Sequence, residues 1–358
     1  MVNNETVHVR RSINIETKYR LRQVDIESSL AAGFRGAGYH NFDDVNDADI
    51  QVDLSRTFWY DVDAAVWLLV ALHALRRRGN ELHLVFPEPV DDKSRKAWSF
   101  LLRWRFFSVL RDFVDDPATL LAQRQLPYLI QRSHYAAGEG ALEDGSRVTL
   151  QSDRLLEITP ITLGSKSPNA RRGDGAHGAR EGNPLILALT MRCGWTIVEA
   201  KNFVSQVVEE ALRNCEHGVA RFALIAMRMD AQWLTFAVVD DGNGIPATLR
   251  SAFADAELRK KVESRTDADL IRYFADPEFI VDSEWIQLSV RAGVGSDVAR
   301  PGLGLHYLKS YVLNKGGSLR IRSGCGSVDF GKEEVKADER DFCAPGTLLR
   351  VRLPLAPT

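Results

Sequence analysis

The chain is poor in every feature that would place it in a membrane, in a disulfide-stapled scaffold or on a polyanion. Its longest apolar run, Ala64–Leu72, covers about half of the ~20 residues that cross a bilayer as a helix. The N-terminus is polar and shows no apolar leader. The cysteines, Cys193, Cys215, Cys325 and Cys343, make no Cys-x-x-Cys pair. They read as thiols of a reducing compartment, with neither a zinc site nor a disulfide framework expected. A net charge of −2 removes the basic excess that draws a protein to nucleic acid or anionic lipid. What is present suits a globular chain: 45% hydrophobic and 26% charged residues over 358 positions, enough for about two domains. A cytoplasmic protein is the expectation.

The densest pattern lies at 196–245. Ile197, Ala200, Phe203/Val204, Val207/Val208, Ala211/Leu212 and Cys215 recur every three to four residues, which predicts an amphipathic helix ending near Gly218. At about 100° per residue, Glu210, Asn214 and His217 share a stripe beside the apolar face, and Glu209 points toward solvent. A carboxylate and an amide one turn apart suit a pocket wall. An amide oxygen is a hard ligand for Mg²⁺, and a glutamate orients or deprotonates a nucleophile. An ordinary helix with polar flanks has the same spacing. Arg221–Met229 and Gln232–Val239 then read as a hairpin turned at Asp230-Ala231.

That hairpin runs into Asp240-Asp241-Gly242-Asn243-Gly244-Ile245-Pro246. Glycines spaced by one residue permit close backbone approach to a ligand, although turns use the same residues. Further on, Arg300-Pro301-Gly302-Leu303-Gly304-Leu305 precedes an amphipathic run from His306 to Leu313, where backbone N–H groups would face a phosphate. Gly316-Gly317-Ser318-Leu319-Arg320-Ile321 reads as turn and strand, and Pro345-Gly346-Thr347-Leu348 opens a terminal strand.

In this order, Glu-x-x-x-Asn, Asp-x-Gly-x-Gly-Ile, Gly-x-Gly-Leu and Gly-Thr, the segment from about 195 to 355 resembles the GHKL ATPase superfamily. The group includes gyrase B subunits, heat-shock chaperones, mismatch-repair ATPases, sensor histidine kinases and anti-sigma-factor kinases. The resemblance implies an α/β sandwich of the Bergerat type that binds ATP and Mg²⁺. Glu210 then matches the nucleophile-activating glutamate, Asn214 the Mg²⁺ ligand, and Asp240 the carboxylate that accepts the adenine amino group. Gly242, Gly244 and Ile245 lie beneath the base, Gly302, Leu303, Gly304 and Leu305 at the phosphates, and Thr347 near the adenine. Residues 292–302 become a lid flanked by Arg291 and Arg300. Exposed salt-bridge arginines are the simpler account of those two. His217 is a helix-end residue, and His73 lacks the surroundings of a phosphoacceptor.

Upstream, Ile50, Val52 and Leu54 alternate as a strand, Val62–Arg78 is an apolar helix, and Leu82–Phe86 is a second strand. Together they predict a βαβ unit with a parallel pair, followed by a helix over Lys93–Phe107. Roughly residues 47–112 resemble a STAS domain, the fold of anti-sigma-factor antagonists, through Asp53-Leu54-Ser55 and Arg76–Gly79. Where that family carries Asp-Ser-Ser-Gly-Leu, this chain reads Asp61-Val62-Asp63-Ala64-Ala65, so no serine is present to take a phosphate. Asp63 is either a fixed negative charge in its place or, with Asp61, a helix cap.

The fold expected is therefore α/β, a STAS-like βαβ domain at 46–130 followed by a GHKL ATP-binding domain at 184–358. Residues 1–45 carry no assigned role beyond a helix at Leu21–Ala32 broken by Gly33, Gly36 and Gly38. Residues 131–183 connect, with a flexible linker at 165–183. Helices are expected at Pro246–Glu263, Ala268–Phe274 and Ser283–Arg291, the last capped by Ser283, and a helix or strand at Pro184–Met191. Charged residues 324–344 form an extended hairpin or a surface excursion. The resemblance implies an ATPase or a serine/threonine protein kinase of the anti-sigma-factor type, the alternative being a nucleotide-gated binding module without turnover. Implied partners are a protein engaged through the STAS-like domain or the lid, with a homodimer left open, and neither nucleic acid nor membrane.

Overall fold

The computed structural model describes residues 11–88, 90–107, 109–110, 155–163, 184–254, 277–294 and 303–355. The expected helix at Ala268–Phe274, the linker at 165–183 and most of the 292–302 segment lie outside them. Among the described residues the chain is a mixed α/β structure with a parallel and an antiparallel sheet. No described helix is long and apolar enough to cross a membrane.

The N-terminal unit begins with β1 (Arg11–Glu16), in which Ile13 and Ile15 alternate inward. After the short β2 (Arg20–Leu21) comes α1 (Gln23–Gly36). This helix runs through Gly33 rather than breaking there, because Ile26, Leu30 and Phe34 keep one apolar stripe buried along its length. Next are β3 (Ala48–Asp53), β4 (Trp59–Tyr60), α2 (Val62–Arg77), β5 (Glu81–Val85) and α3 (Asp92–Arg103). Strands β1, β3 and β5 pair in parallel with β3 central. The expected strand, helix and strand are thus present, joined by an edge strand from the segment left unassigned.

The C-terminal unit starts earlier than 184. Strand β6 (Leu155–Thr162) pairs with β7 (Phe222–Met229). Between them lie α4 (Pro184–Cys193), α5 (Ile197–Phe203), a π-helical turn (Val204–Glu209) and α6 (Glu210–His217). Thr196 caps α5, its hydroxyl accepting from Glu199 N while the Glu199 carboxylate accepts from Thr196 N. Then follow β8 (Trp233–Asp240), α7 (Ile245–Phe253), α8 (Asp282–Ser289), α9 (Gly304–Asn314), β9 (Ser318–Phe330) and β10 (Val335–Pro354). The cap of α8 is Val281, and Ser283 lies inside the helix, its N–H donating to Glu339 Oε1. The five strands run antiparallel in the order β6-β7-β8-β10-β9. Residues 324–344 form the extended β9–β10 hairpin, with register shifts after Glu339 and Ala344.

Each face of this sheet has its own core. Leu234, Phe236 and Val238, with Leu319, Ile321, Leu349 and Val351, pack under α5, α6 and α9. The alternate residues Ala237, Val239 and Leu348 belong to the core of the N-terminal unit. Helix α2 packs on this second face, against β7, β8 and β10. That explains its lack of a polar side: from Ala64 to Leu72 every residue is buried. At about 25 cal/mol per Å² of apolar surface, each of its large side chains contributes roughly 1.5–3 kcal/mol.

Acidic residues of the N-terminal helices meet a row of arginines on the sheet. Arg322 Nε donates to Glu27 Oε1 at 2.8 Å, with side-chain exposures of 0% and 4%. Arg350 Nη1 lies 3.2 Å from Asp63 Oδ2. Neither Asp61 nor Asp63 caps α2 with its side chain: Asp61 is held by Arg20, and Asp63 by Arg350. Asp61 does occupy the N-cap position, its carbonyl accepting from Ala65 N, while arginines outside the helix take both carboxylates.

The cysteine expectation is also corrected. Cys325 and Cys343 form a disulfide between β9 and β10. They stand 18 residues apart in sequence, with no motif to announce them, and only the hairpin register brings them together. Cys215 is a free, buried thiol.

Candidate functional site

Residues of α6, the β8–α7 junction, the start of α9 and β10 converge on the face of the sheet covered by α5, α6 and α9. The first segment is α6. Glu210 and Asn214 lie one turn apart, and the Asn214 amide nitrogen donates to the Glu210 carbonyl at 2.7 Å. One Glu210 oxygen, Oε1, accepts from Arg213. The other, Oε2, faces Gly304 at the start of α9, where an added Cβ would lie 2.5 Å away and 3.9 Å from Asn214 Nδ2. A side chain at 304 would therefore occupy the place that brings the two segments together. The preceding π-turn resets the phase of the helix, a feature common at functional sites. Glu209 does not point to solvent as expected: its side chain is 23% exposed, against 17% for Glu210, and Arg213 Nη2 lies 3.6 Å from its Oε2.

The second segment ends β8. The period of two along the strand places Asp240 on the same face as Phe236 and Val238, against Cys215 of α6. Asp240 is 3% exposed. Burial pushes its carboxyl up to about 7, against the opposing hydrogen bonds from the Gly242 N–H, the Cys215 thiol and the Thr347 N–H. The Gly242 N–H donates to Asp240 Oδ1 at 2.8 Å. A buried carboxyl poised near neutrality is a marker of functional sites.

The third segment is Gly244-Ile245, which opens α7. Gly244 has φ +83, and a Cβ there would stand 2.7 Å from Ser323 Oγ, so both conformation and space call for glycine. The Ile245 N–H donates to the same Ser323 oxygen at 2.8 Å. The fourth is the start of the last stretch of β10: Thr347 Oγ1 lies 3.0 Å from Ser323 Oγ, which also donates to the Gly346 carbonyl at 3.2 Å.

Thus Asp240, Gly242, Gly244, Ile245 and Thr347 gather at one end, and Glu210, Asn214 and Gly304 along the adjoining helix. Leu303 is the residue before α9, its carbonyl accepting from Tyr307 N, and Leu305 is buried in the core beneath. Gly302 and Arg300 lie outside the described residues. His217 ends α6, as its place in the sequence implied.

Three contributors were not anticipated. Ser323 ties the α7 start to Thr347, and the alternation Leu319, Ile321, Ser323 would have placed it on this face. Cys215 was read only as a core residue, yet its burial beside Asp240 raises the thiol well above its ordinary range. Lys309, in α9, has its ammonium lowered by burial and then by nearby Arg291, and lies 5.6 Å from the Phe330 ring centroid. These two cations stand at the described root of the 292–302 segment. No protein-family model matches the chain, and no curated protein sequence does.

Proposed function

We propose that the C-terminal unit is a Mg-ATP-binding domain of the GHKL type that hydrolyses ATP or transfers its γ-phosphate to a protein partner. The N-terminal unit is then a STAS-like recognition domain with no phosphorylatable serine at its helix start. The observation that carries this reading is the meeting of Glu210, Asn214 and Gly304 beside the buried Asp240–Thr347 cluster, from four segments distant in sequence.

The residues fit the ligands by chemistry. Asp240, ionised, accepts a hydrogen bond from an exocyclic amine, and its apolar surroundings suit a flat base. The Asn214 nitrogen is engaged by its own helix, which leaves the amide oxygen as a hard ligand of the kind Mg²⁺ takes. Gly304, at the start of α9, closely approaches the Glu210 carboxylate and the Asn214 side chain, and the N–H groups of a helix start favour phosphate. Mg²⁺, when bound, supplies charge neutralisation on the phosphate oxygens. Glu210 orients the nucleophile and takes its proton through Oε2, the oxygen not held by Arg213. Phosphoryl transfer asks for this positioning more than for covalent help.

One observation favours the second reading, a nucleotide-gated module without turnover. The Glu210 carboxylate is already paired with Arg213 through Oε1, which ties down one of the two oxygens a base would present. Phosphate release from purified protein with ATP and Mg²⁺ separates the two. Turnover supports the enzyme. Tight ATP binding with neither phosphate release nor transfer supports the gate, and absence of ATP binding refutes both.

A further inference from the structure

The strand ends that form the candidate pocket are two-faced. Because side chains alternate across a sheet, each pocket residue has a chain neighbour that points into the N-terminal unit. Asp240 faces the pocket, and Asp241 reaches the other way. Asp241 Oδ2 pairs with Arg77 at the end of α2, at 3.3 Å, and its Oδ1 accepts from the Arg221 and Phe222 N–H groups. Ser323 faces the pocket and holds Ile245 and Thr347, while Arg322 is buried in the opposite direction against Glu27 of α1. Thr347 faces the pocket, and Leu348 is part of the core shared with α2.

The Arg322 site is built in detail. Besides Glu27, its guanidinium donates to the Gly326 carbonyl at 3.1 Å, to the Phe342 carbonyl at 2.8 Å and to the Gly324 carbonyl. Arg322 itself precedes Ser323 on β9, the Gly324 and Gly326 carbonyls follow it, and Phe342 is the β10 residue next to Cys343. A displacement of α1 therefore acts on the backbone on both sides of Ser323. A displacement of α2 acts on the residue bonded to Asp240. Packed strands do not deform continuously, so such contacts are made or lost together.

We propose that docking of the N-terminal unit on the outer face of the sheet sets the geometry of the nucleotide pocket, with Glu27, Arg322, Arg77 and Asp241 as positioning residues acting through Ser323 and Asp240. The proposal rests on the reading of that pocket as a nucleotide site. It makes the N-terminal unit a regulator of nucleotide affinity: a partner that competes for α1 or α2 weakens nucleotide binding, and nucleotide tightens docking in return, as linkage requires.

The test uses the full chain with Glu27→Gln and Arg77→Glu, and Lys336→Ala on the exposed hairpin as control. Amide exchange across 240–248 is followed without nucleotide, ATP affinity is measured by calorimetry, and exchange in α1 is compared with and without ATP. Both variants should exchange faster across 240–248 and bind ATP at least ~5-fold more weakly, and ATP should slow exchange in wild-type α1. The control should match wild type. Arg77 is on the surface, so its variant decides the matter if Glu27→Gln fails to fold. A folded Arg77→Glu with wild-type exchange across 240–248 overturns the proposal. If wild type binds no ATP, the functional reading fails, and the nucleotide-free exchange still decides the coupling.

Discussion

Asp240→Asn separates what this residue does for the fold from what it does for a ligand. The carboxyl sits at about 7 instead of 3.8, first because it is buried. Below about pH 3.8 both folded and unfolded chains hold the proton, and burial of the group carries no ionic cost. Between there and about pH 7 the unfolded chain releases the proton and the folded protein keeps it, so stability falls as pH rises. Above about pH 7 the folded carboxyl is ionised and the cost is complete. At about 1.4 kcal/mol per pH unit, the interval from 3.8 to about 7 amounts to roughly 4 kcal/mol. Asparagine is neutral throughout. It loses part of the hydrogen bonding of the ionised carboxylate, since its NH₂ meets a donor where the second oxygen accepted, a cost of about 1–3 kcal/mol. The pH dependence is therefore the cleaner quantity. From pH 5 to pH 8, wild type should lose about 3 kcal/mol more stability than Asp240→Asn, read from urea unfolding without nucleotide. Parallel stability profiles would refute the assignment of a buried, near-neutral carboxyl. On the ligand side, removing a hydrogen bond to a charged group costs roughly 1.5–3 kcal/mol. Asp240→Ala should thus bind ATP about 10- to 150-fold more weakly by calorimetry, and an unchanged affinity would remove Asp240 from the adenine site.

The remaining predictions address the helix and its neighbours. Glu210→Ala should bind ATP nearly normally and lose about 10²–10⁴-fold in turnover, whereas Glu209→Ala should keep it; a dead Glu209→Ala would move the base by one residue. Asn214→Ala should lose the Mg²⁺ dependence of nucleotide binding, measured by titration with and without the metal. Gly304→Ala should fold and fail to bind nucleotide, because its Cβ would lie 2.5 Å from Glu210 Oε2; normal binding would show that the two segments do not share a site. After incubation with ATP, mass spectrometry should find no phosphate within residues 55–66.

Local periodicity made the secondary structure around the site readable. The helical repeat over 197–215, although broken by a π-turn at Val204–Glu209 that it did not announce, the hairpin turned after Met229 and the strand–helix–strand of the N-terminal unit all follow from patterns within about twenty residues. What stayed hidden depends on pairing at long range. The sequence Leu-Arg-Ile-Arg-Ser in β9 and Leu-Arg-Val-Arg-Leu in β10 has the alternation of a sheet with one wet face. Yet Arg322 is fully buried, because α1 brings Glu27 to it from 295 residues away. A strand that shows arginines on alternate positions gives no sign of whether water or a carboxylate will meet them. The Cys325–Cys343 pair was invisible for the same reason. The all-apolar stretch of α2 was the one local clue to the docking, since a helix without a polar side must be covered on both.

That docking bears on where a phosphoryl group could go. Asp63 stands at the start of α2, where the antagonist family to which this unit is compared places its serine. It is held by Arg350 on the outer face of the sheet. Glu210, Asn214 and Gly304 belong to the helical layer on the opposite face, with the sheet between. A group delivered on one face cannot reach the other while α2 is docked. If the C-terminal unit transfers phosphate, position 63 is therefore not its acceptor while α2 is docked. Asp63 carries a permanent carboxylate there, which holds the ion pair with Arg350. Asp63→Ser would replace it with a neutral hydroxyl and leave Arg350 with Asp329 as its remaining carboxylate. It should loosen the α2 contact, read as faster amide exchange in β10, without creating a phosphorylation site. Phosphate found at position 63 of that variant in the intact chain would show that the two faces communicate more directly than the sheet allows.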